Sequence, residues 1–227
     1  MITNIGHSSE GRTQVKKITR KKERVFQENR ASFFKRLVLK ITPADMKELE
    51  SAYEFAKYGH RTQVRDSGER YFEHPRAVAL ILIDELRITD VGMLIAAFLH
   101  DILEDAYLLT PDRMRNSFVR HGERVASLVS GVTKPKKNDP RFKTEKQRNK
   151  FYKEQVKQAS LEVKLLKLVD RLHNTRTLGG CSLEKQKRKI EETRRDYFPL
   201  INDVAAEHPE IAKYLLTQLE EAIAKLS

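Results

Sequence analysis

The sequence predicts an all-α fold, and three observations support this prediction. Helix starts are marked by N-cap residues followed by proline, as at Thr42-Pro43 and Thr110-Pro111. No stretch alternates apolar and polar residues as a half-buried strand would. Apolar residues recur instead at helical spacing, most clearly in the segment that contains Met46, Leu49, Ala52, Tyr53 and Ala56.

The predicted helices follow one another along most of the chain. The first covers residues 25–40 and has Phe33, Phe34, Leu37 and Leu39 on its apolar face. Residues 59–71, with Gly68 as turn residue, and residues 133–143, with two prolines, are predicted loops. The other predicted helices start at Thr42, run over 74–86 and 89–103, start at Thr110, end at Ser130 before Gly131, and cover 144–158, 161–174, 182–197, 199–207 and 209–225.

The composition fits one large domain or two small ones. Of the 227 residues, 39% are hydrophobic and 33% are charged. The two longest apolar runs, 77–83 and 93–99, are too short to span a bilayer, so we expect no membrane partner. Cys181 is the single cysteine, which excludes an intrachain disulfide, and no signal peptide is visible at the N-terminus. These features predict a cytoplasmic protein.

The net charge of +12 is concentrated in two segments. Residues 1–24 carry seven Lys/Arg and two Glu, and residues 132–158 carry ten Lys/Arg and three acidic residues. Residues 1–24 also lack apolar periodicity, so we predict a disordered basic extension there and one domain over 25–227. Such segments attract polyphosphates or nucleic acid, and the plainer alternative is a solvated tail and a solvated loop.

Two short strings carry most of the ionisable groups that lie in apolar surroundings. In the first, His100 and Glu104, and likewise Asp101 and Asp105, are four residues apart and share a helix face. In the second, Asp170 ends a largely apolar helical segment, where a carboxylate needs a partner.

His74, just before Pro75, adds a second imidazole to this set. Two imidazoles and two carboxylates suit Mn²⁺, Fe²⁺, Co²⁺ or Zn²⁺ without deciding among them. Each residue also has an ordinary interpretation: an ion pair for Asp170, a helix cap for His74, and a solvated helix end for Glu104 and Asp105.

Residues 45–200 resemble the hydrolase domain of the RelA/SpoT alarmone enzymes, a branch of the HD phosphohydrolase superfamily. The matching strings occur in family order and at family spacing. They are QVRDSGE at 63–69, YFEHP at 71–75, FLHDILED at 98–105, GVTK at 131–134 and KLVDRLHNTRTL at 167–178. The resemblance implies one HD-domain helical bundle with a metal site between its helices.

The resemblance also implies a role for each matched residue. The metal, usually one Mn²⁺ per site, would be held by His74, His100, Asp101 and Asp170. Glu104 and Asp105 would be the catalytic acidic pair. The substrate contacts would be Arg65, which stacks on the base, together with Ser67, Lys134, Asn174 and Thr177.

The implied reaction removes pyrophosphate from the 3′ position of (p)ppGpp and leaves GDP or GTP. The sequence ends at Ser227 with no room for a synthetase domain. We therefore expect a stand-alone small alarmone hydrolase, similar to metazoan SpoT homologues.

One departure from the family pattern keeps alternatives open. The family commonly has a basic residue after the stacking arginine, and here that position is Asp66. The first alternative is therefore a hydrolase of (p)ppApp or another 3′-phosphorylated nucleotide, with an antitoxin role as one form of it. A non-enzyme alternative is a regulatory protein that binds nucleotides or nucleic acid. The sequence contains no recognised nucleic-acid-binding motif, so we do not expect nucleic acid as a partner.

Overall fold

The computed structural model describes residues 29–105 and 110–226, and this part of the chain is helical and contains no strand. The all-α prediction is therefore confirmed. The extension predicted at residues 1–24 lies outside the described residues. The α-helices are α1 (Arg30–Lys35), α2 (Pro43–Gly59), α3 (Glu73–Leu80), α4 (Val91–Leu99), α5 (Ile102–Asp105), α6 (Pro111–Ser117), α7 (Gly122–Val132), α8 (Glu145–Gln158), α9 (Leu161–Arg176), α10 (Leu183–Glu192), α11 (Phe198–Ala205) and α12 (Pro209–Ala224).

Helix α4 lies at the centre of the fold. All nine of its residues are buried, as expected for a helix that is apolar around its whole circumference. It packs against α2, α3, α7 and α9. Beside it, the rings of Phe33, Tyr53, Phe72 and Phe98 form a cluster with centroids 4.9 to 6.3 Å apart. In the part of the chain that is described, no helix is long and apolar enough to cross a membrane.

The first helix is shorter than predicted. It ends at Lys35, and the chain then turns through residues 36–40. Leu37 is still buried, but Leu39 is 98% exposed, so its predicted place on the apolar face is wrong. The turn leads into extended backbone at Thr42, which the following Pro43 favours and a continuing helix would not allow.

Two other predicted helix ends are also wrong. Helix α7 continues through Gly131 to Val132. The glycine at this position allows α7 and α9 to pack closely, because a Cβ there would lie 2.7 Å from Cγ2 of Val163 on α9. The predicted break before residue 199 is absent, since α10 joins α11 through a π-helical turn at Thr193–Tyr197.

Gly122 gives a stability test of the α6–α7 corner. A Cβ at this position would lie 2.2 Å from the carbonyl oxygen of Arg115, a backbone atom that cannot move aside. We expect Gly122→Ala to lower the free energy of unfolding by about 2 kcal/mol or more. Gly179→Ala is the control, because its Cβ would make an ordinary 3.7 Å contact with Leu226. Equal midpoints for the two variants in urea unfolding would contradict this packing.

Candidate metal centre

Three separate segments bring two histidines and two aspartates together. His74 lies in the first turn of α3, and Asp170 lies in the second half of α9. His100 and Asp101 form a turn between α4 and α5, so the predicted continuous helix through Leu103 is wrong. In a regular helix, neighbouring side chains point about 100° apart, whereas here both reach one point.

The ligand atoms of these four residues converge. Nε2 of His74 lies 3.1 Å from Nε2 of His100 and 3.1 Å from Oδ1 of Asp170. Oδ2 of Asp101 lies 3.2 Å from Nε2 of His100 and 3.5 Å from Nε2 of His74. The His100 nitrogen is also 3.7 Å from Oδ1 of Asp170. Both imidazoles are 1% exposed.

The hydrogen bonds behind the imidazoles suit metal binding. Nδ1 of His100 donates to the carbonyl of Ala97 at 2.8 Å, which leaves a lone pair on Nε2 facing the cluster. Nδ1 of His74 is 2.8 Å from Nδ1 of His173, so a proton carried by His74 there likewise leaves its Nε2 free. Two imidazole nitrogens and two carboxylate oxygens at these distances are held together by a shared proton or by a metal cation that takes its place. The donor set therefore fits a divalent metal.

Burial and mutual charge shift the pKa values of these groups in opposite directions. Burial lowers the pKa of His74. Burial acts in the same sense on His100, but the adjacent Asp101 and Asp170 outweigh it and raise its pKa well above the usual value. Burial and the nearby His74 lower the pKa of His173 to about 3, so this ring is neutral and its Nδ1 can accept a hydrogen bond from Nδ1 of His74.

Lys167 neutralises the outer side of Asp170. Its Nζ lies 3.0 Å from Oδ2 of Asp170, while Oδ1 faces the histidines. Burial opposes the charge on this lysine, but Asp170 raises its pKa well above the usual value, so the ammonium persists. The ring of Tyr152 on α8 covers the ammonium, with its centroid 5.5 Å from Nζ.

A second group of predicted site residues lies next to Asp170. Nδ2 of Asn174 donates to Oδ1 of Asp170 at 2.5 Å, and Oδ1 of Asn174 accepts from Nη2 of Arg65 at 2.8 Å. The same Nη2 donates to Oγ1 of Thr177 at 3.2 Å. The structure thus joins three predicted substrate contacts, Arg65, Asn174 and Thr177, into one hydrogen-bonded group. Gly68, at φ +80°, makes the turn that presents Arg65.

The other predicted residues lie at the edges of the site. Glu104 is exposed, and its Oε1 accepts from the backbone N–H of Lys134 at 2.7 Å. Burial and the nearby Arg148 lower the pKa of the Lys134 ammonium. Ser67 is exposed and lies opposite Gly180. The side chain of Asp105 lies outside the described residues.

Asp66, the residue that departs from the family pattern, is held by two groups on the other side of the loop. Its carboxylate pairs with the Lys185 ammonium of α10 and accepts from Sγ of Cys181 at 3.4 Å. Hydrogen bonds from Lys185 and Cys181 lower the pKa of Asp66. The ion pair therefore places the Lys185 ammonium near Arg65, although residue 66 of the matched string is itself an acid.

Sequence reasoning missed three supporting residues. Tyr71 donates its hydroxyl to Oδ2 of Asp101 at 2.8 Å, and Lys167 and His173 contact Asp170 and His74 as described above. All three lie inside the matched strings at 71–75 and 167–178. Their position in the matched strings could have drawn attention to them. Their contacts could not be predicted from these strings, because their partners lie on other segments or on the next helical turn.

Comparisons with known proteins show which family this chain resembles. The model of the HD domain family matches residues 52–204. Bifunctional (p)ppGpp synthase/hydrolase SpoT from Escherichia coli is 39% identical over 187 residues, or 82% of this chain and 25% of that protein. The guanosine-3′,5′-bis(diphosphate) 3′-pyrophosphohydrolase of Aquifex aeolicus is 41% identical over 70% of this chain and 22% of its own length. The chain thus spans about a quarter of the length of these curated relatives.

One solved structure is similar to this chain over most of both chains. It is that of a metazoan ortholog of SpoT described as hydrolysing ppGpp and as having a role in starvation responses. The TM-score is 0.59 with 28% identity, over 78% of this chain and 94% of that one. The predicted resemblance is confirmed, and the chain belongs to the HD domain family.

Proposed function

We propose that this protein hydrolyses the 3′-pyrophosphate of (p)ppGpp, with pyrophosphate and GDP or GTP as products. The observation that carries the proposal is the convergence of His74, His100, Asp101 and Asp170 beside the Arg65 group. The fold around this site is similar to a ppGpp-hydrolysing protein over nearly the whole of that chain. We place the activity in the cytoplasm, in keeping with a chain that has one cysteine.

The four converging side chains would hold one Mn²⁺ ion. Mixed imidazole and carboxylate donors suit this ion, and the family resemblance favours it over the other candidates. When bound, a divalent cation polarises a phosphoryl oxygen and makes water more acidic. Lys167 adds a positive charge behind Asp170, which favours the approach of an anionic substrate.

The acidic residues would handle the protons of the reaction. A water oxygen bonds to the phosphorus attached to the ribose 3′-oxygen, and the 3′-oxygen leaves and takes a proton. Glu104 would accept the proton of the attacking water, with Asp105 as the second acid of the pair. The bond from Lys134 N–H fixes Glu104 at the edge of the site.

The Arg65 group would bind the nucleoside. The flat guanidinium of Arg65 offers its face to a purine while Asn174 and Thr177 hold its Nη2 edge. Asn174 and Thr177 would also contact the ribose, and Ser67 and Lys134 the phosphates. The bond from Asn174 to Asp170 ties this nucleoside site directly to the metal ligands.

An adenine alarmone is the second candidate substrate, because Arg65 can stack on either purine. The Asp66 carboxylate is engaged by Lys185, so a direct bond from Asp66 to a base amino group requires that ion pair to open. Other groups in the pocket would therefore distinguish guanine from adenine. The adenine compound therefore belongs in the test.

Product analysis tests the proposed function. The protein loaded with Mn²⁺ is incubated with ppGpp, pppGpp and ppApp, and the products are separated by anion-exchange chromatography. We expect equal amounts of pyrophosphate and the nucleoside 5′-diphosphate or 5′-triphosphate, with guanine substrates preferred. GDP and GTP offered alone are the control and should remain intact. Release of single phosphates, or no cleavage of any 3′-pyrophosphate, would refute the proposal.

A further inference from the structure

A groove on the outer face of α8 combines aromatic rings with positive charge. Its volume is about 470 Å³, and it is lined by residues 141–143 and by one face of α8, which carries Gln147, Lys150, Phe151 and Glu154. The rings of Phe142 and Phe151 have centroids 5.1 Å apart, and the guanidinium carbon of Arg141 lies 5.3 and 5.5 Å from the two centroids. Phe151 is 42% exposed, so a ligand can reach the ring.

The charge around these rings is positive on balance. Lys143 and Lys150 share the lining with Arg141, and Glu154 is the one carboxylate among the lining residues. Asp139 pairs with Arg141 at 2.7 Å and orients its guanidinium. The two lysines belong to no ion pair with the described residues, so their ammonium groups are available to an anion. The surrounding segment 132–158 carries ten of the chain's Lys/Arg residues.

The groove is separate from the metal centre, although both use α8. Tyr152 turns inward, where its hydroxyl donates to the carbonyl of Val132 at 2.6 Å and its ring covers Lys167. Phe151, one residue earlier, points about 100° away on the helix and outward. A ligand in the groove can therefore be tested without touching the metal ligands.

We propose that this groove binds single-stranded nucleic acid, with a base against Phe151 and the phosphates on Arg141, Lys143 and Lys150. Open grooves that combine aromatic rings and cations are the usual site for such strands, because every base has a face to stack and every linkage has a charge.

Fluorescence measurements on the intact protein test the proposal. The probe is an oligoribonucleotide of about 12 nucleotides that contains one 2-aminopurine. We expect binding with quenching of the 2-aminopurine, which reports stacking. Phe151→Leu should keep the apolar volume, lose the quenching and bind about tenfold more weakly, in the range of one lost stacking contact. Lys150→Gln should reduce the salt slope by about 0.7.

Matched controls separate this site from general attraction to a basic protein. Tyr58 is 57% exposed and lies under Arg61, with the guanidinium carbon 4.0 Å from its ring centroid, so it forms a similar pair on α2. Tyr58→Leu and the charge control Lys213→Gln should leave binding and quenching unchanged. Thermal unfolding and bound metal confirm that each variant is folded.

Three results would overturn the proposal: no binding of the strand, equal weakening by Tyr58→Leu and Phe151→Leu, or binding without a change in 2-aminopurine emission. Occupation of the groove by free nucleotide but not by the strand would also contradict it. The experiment measures strand binding and not hydrolysis, so its outcome does not depend on whether the proposed enzymatic function is correct.

Discussion

Replacement of Asp170 by Ala is expected to remove the bound metal and the hydrolase activity together. Its Oδ1 is one of the four converging atoms, and its removal leaves three ligands around the cation. Loss of a supporting residue behind a ligand costs about 10- to 100-fold in metal affinity, and loss of the ligand itself should cost at least about 100-fold. Equilibrium dialysis with Mn²⁺ measures this directly.

The alanine variant also leaves the Lys167 ammonium buried without its partner, which destabilises the fold by about 3–5 kcal/mol. Asp170→Asn is therefore measured in parallel, because the amide keeps the shape of the side chain and an oxygen that can accept a hydrogen bond from Lys167. Asp203→Ala is the control, because Asp203 pairs with Lys164, which lies on α9 as Asp170 does but away from the cluster. Full metal content in the folded Asp170→Ala and Asp170→Asn proteins would disprove the assigned ligand set.

Glu104→Gln is expected to keep the metal and lose most of the turnover. The amide oxygen of glutamine can still accept from Lys134 N–H, so the local structure is preserved while the capacity to take a proton is lost. General base catalysis contributes about 10²- to 10⁴-fold, so kcat should fall by about 10²-fold or more. Steady-state kinetics and metal content are measured on the same preparation.

Glu145→Gln is the matched control for this substitution. Glu145 is also an exposed glutamate near the basic loop, and it contacts Arg148 at 3.5 Å. Its replacement should leave kcat unchanged. If Glu104→Gln turns over at the parental rate, Glu104 is a helix-end charge that binds a backbone N–H and has no part in the proton transfer.

The sequence predicted the helical class because its signals are local. Thr42, Thr110, Thr144 and Ser160 each accept from a backbone N–H at the start of a helix, as capping residues do. The four proposed metal ligands could be grouped for a different reason, since each of them stands in a matched string, and the structure brings their side chains together.

What the sequence did not predict depends on contacts between distant segments. Gly131 looked like a helix end, but it is the point where α7 meets Val163 of α9. The turn at His100 and Asp101 interrupts a segment whose apolar pattern continues to Leu103. The pairing of Asp66 with Lys185 joins residues 119 positions apart, which no local pattern reports.

Helix α9 carries residues of both parts of the proposed site. It carries a proposed metal ligand, Asp170, and then Asn174 and, at its C-terminal cap, Thr177, which together hold Arg65. At a rise of 1.5 Å per residue, these positions lie about 6 and about 10 Å along the axis from Asp170. In the proposed function, α9 therefore sets the spacing between the metal ligand Asp170 and the two residues that hold Arg65. One residue inserted or deleted between Asp170 and Asn174 would turn these two groups about 100° out of phase.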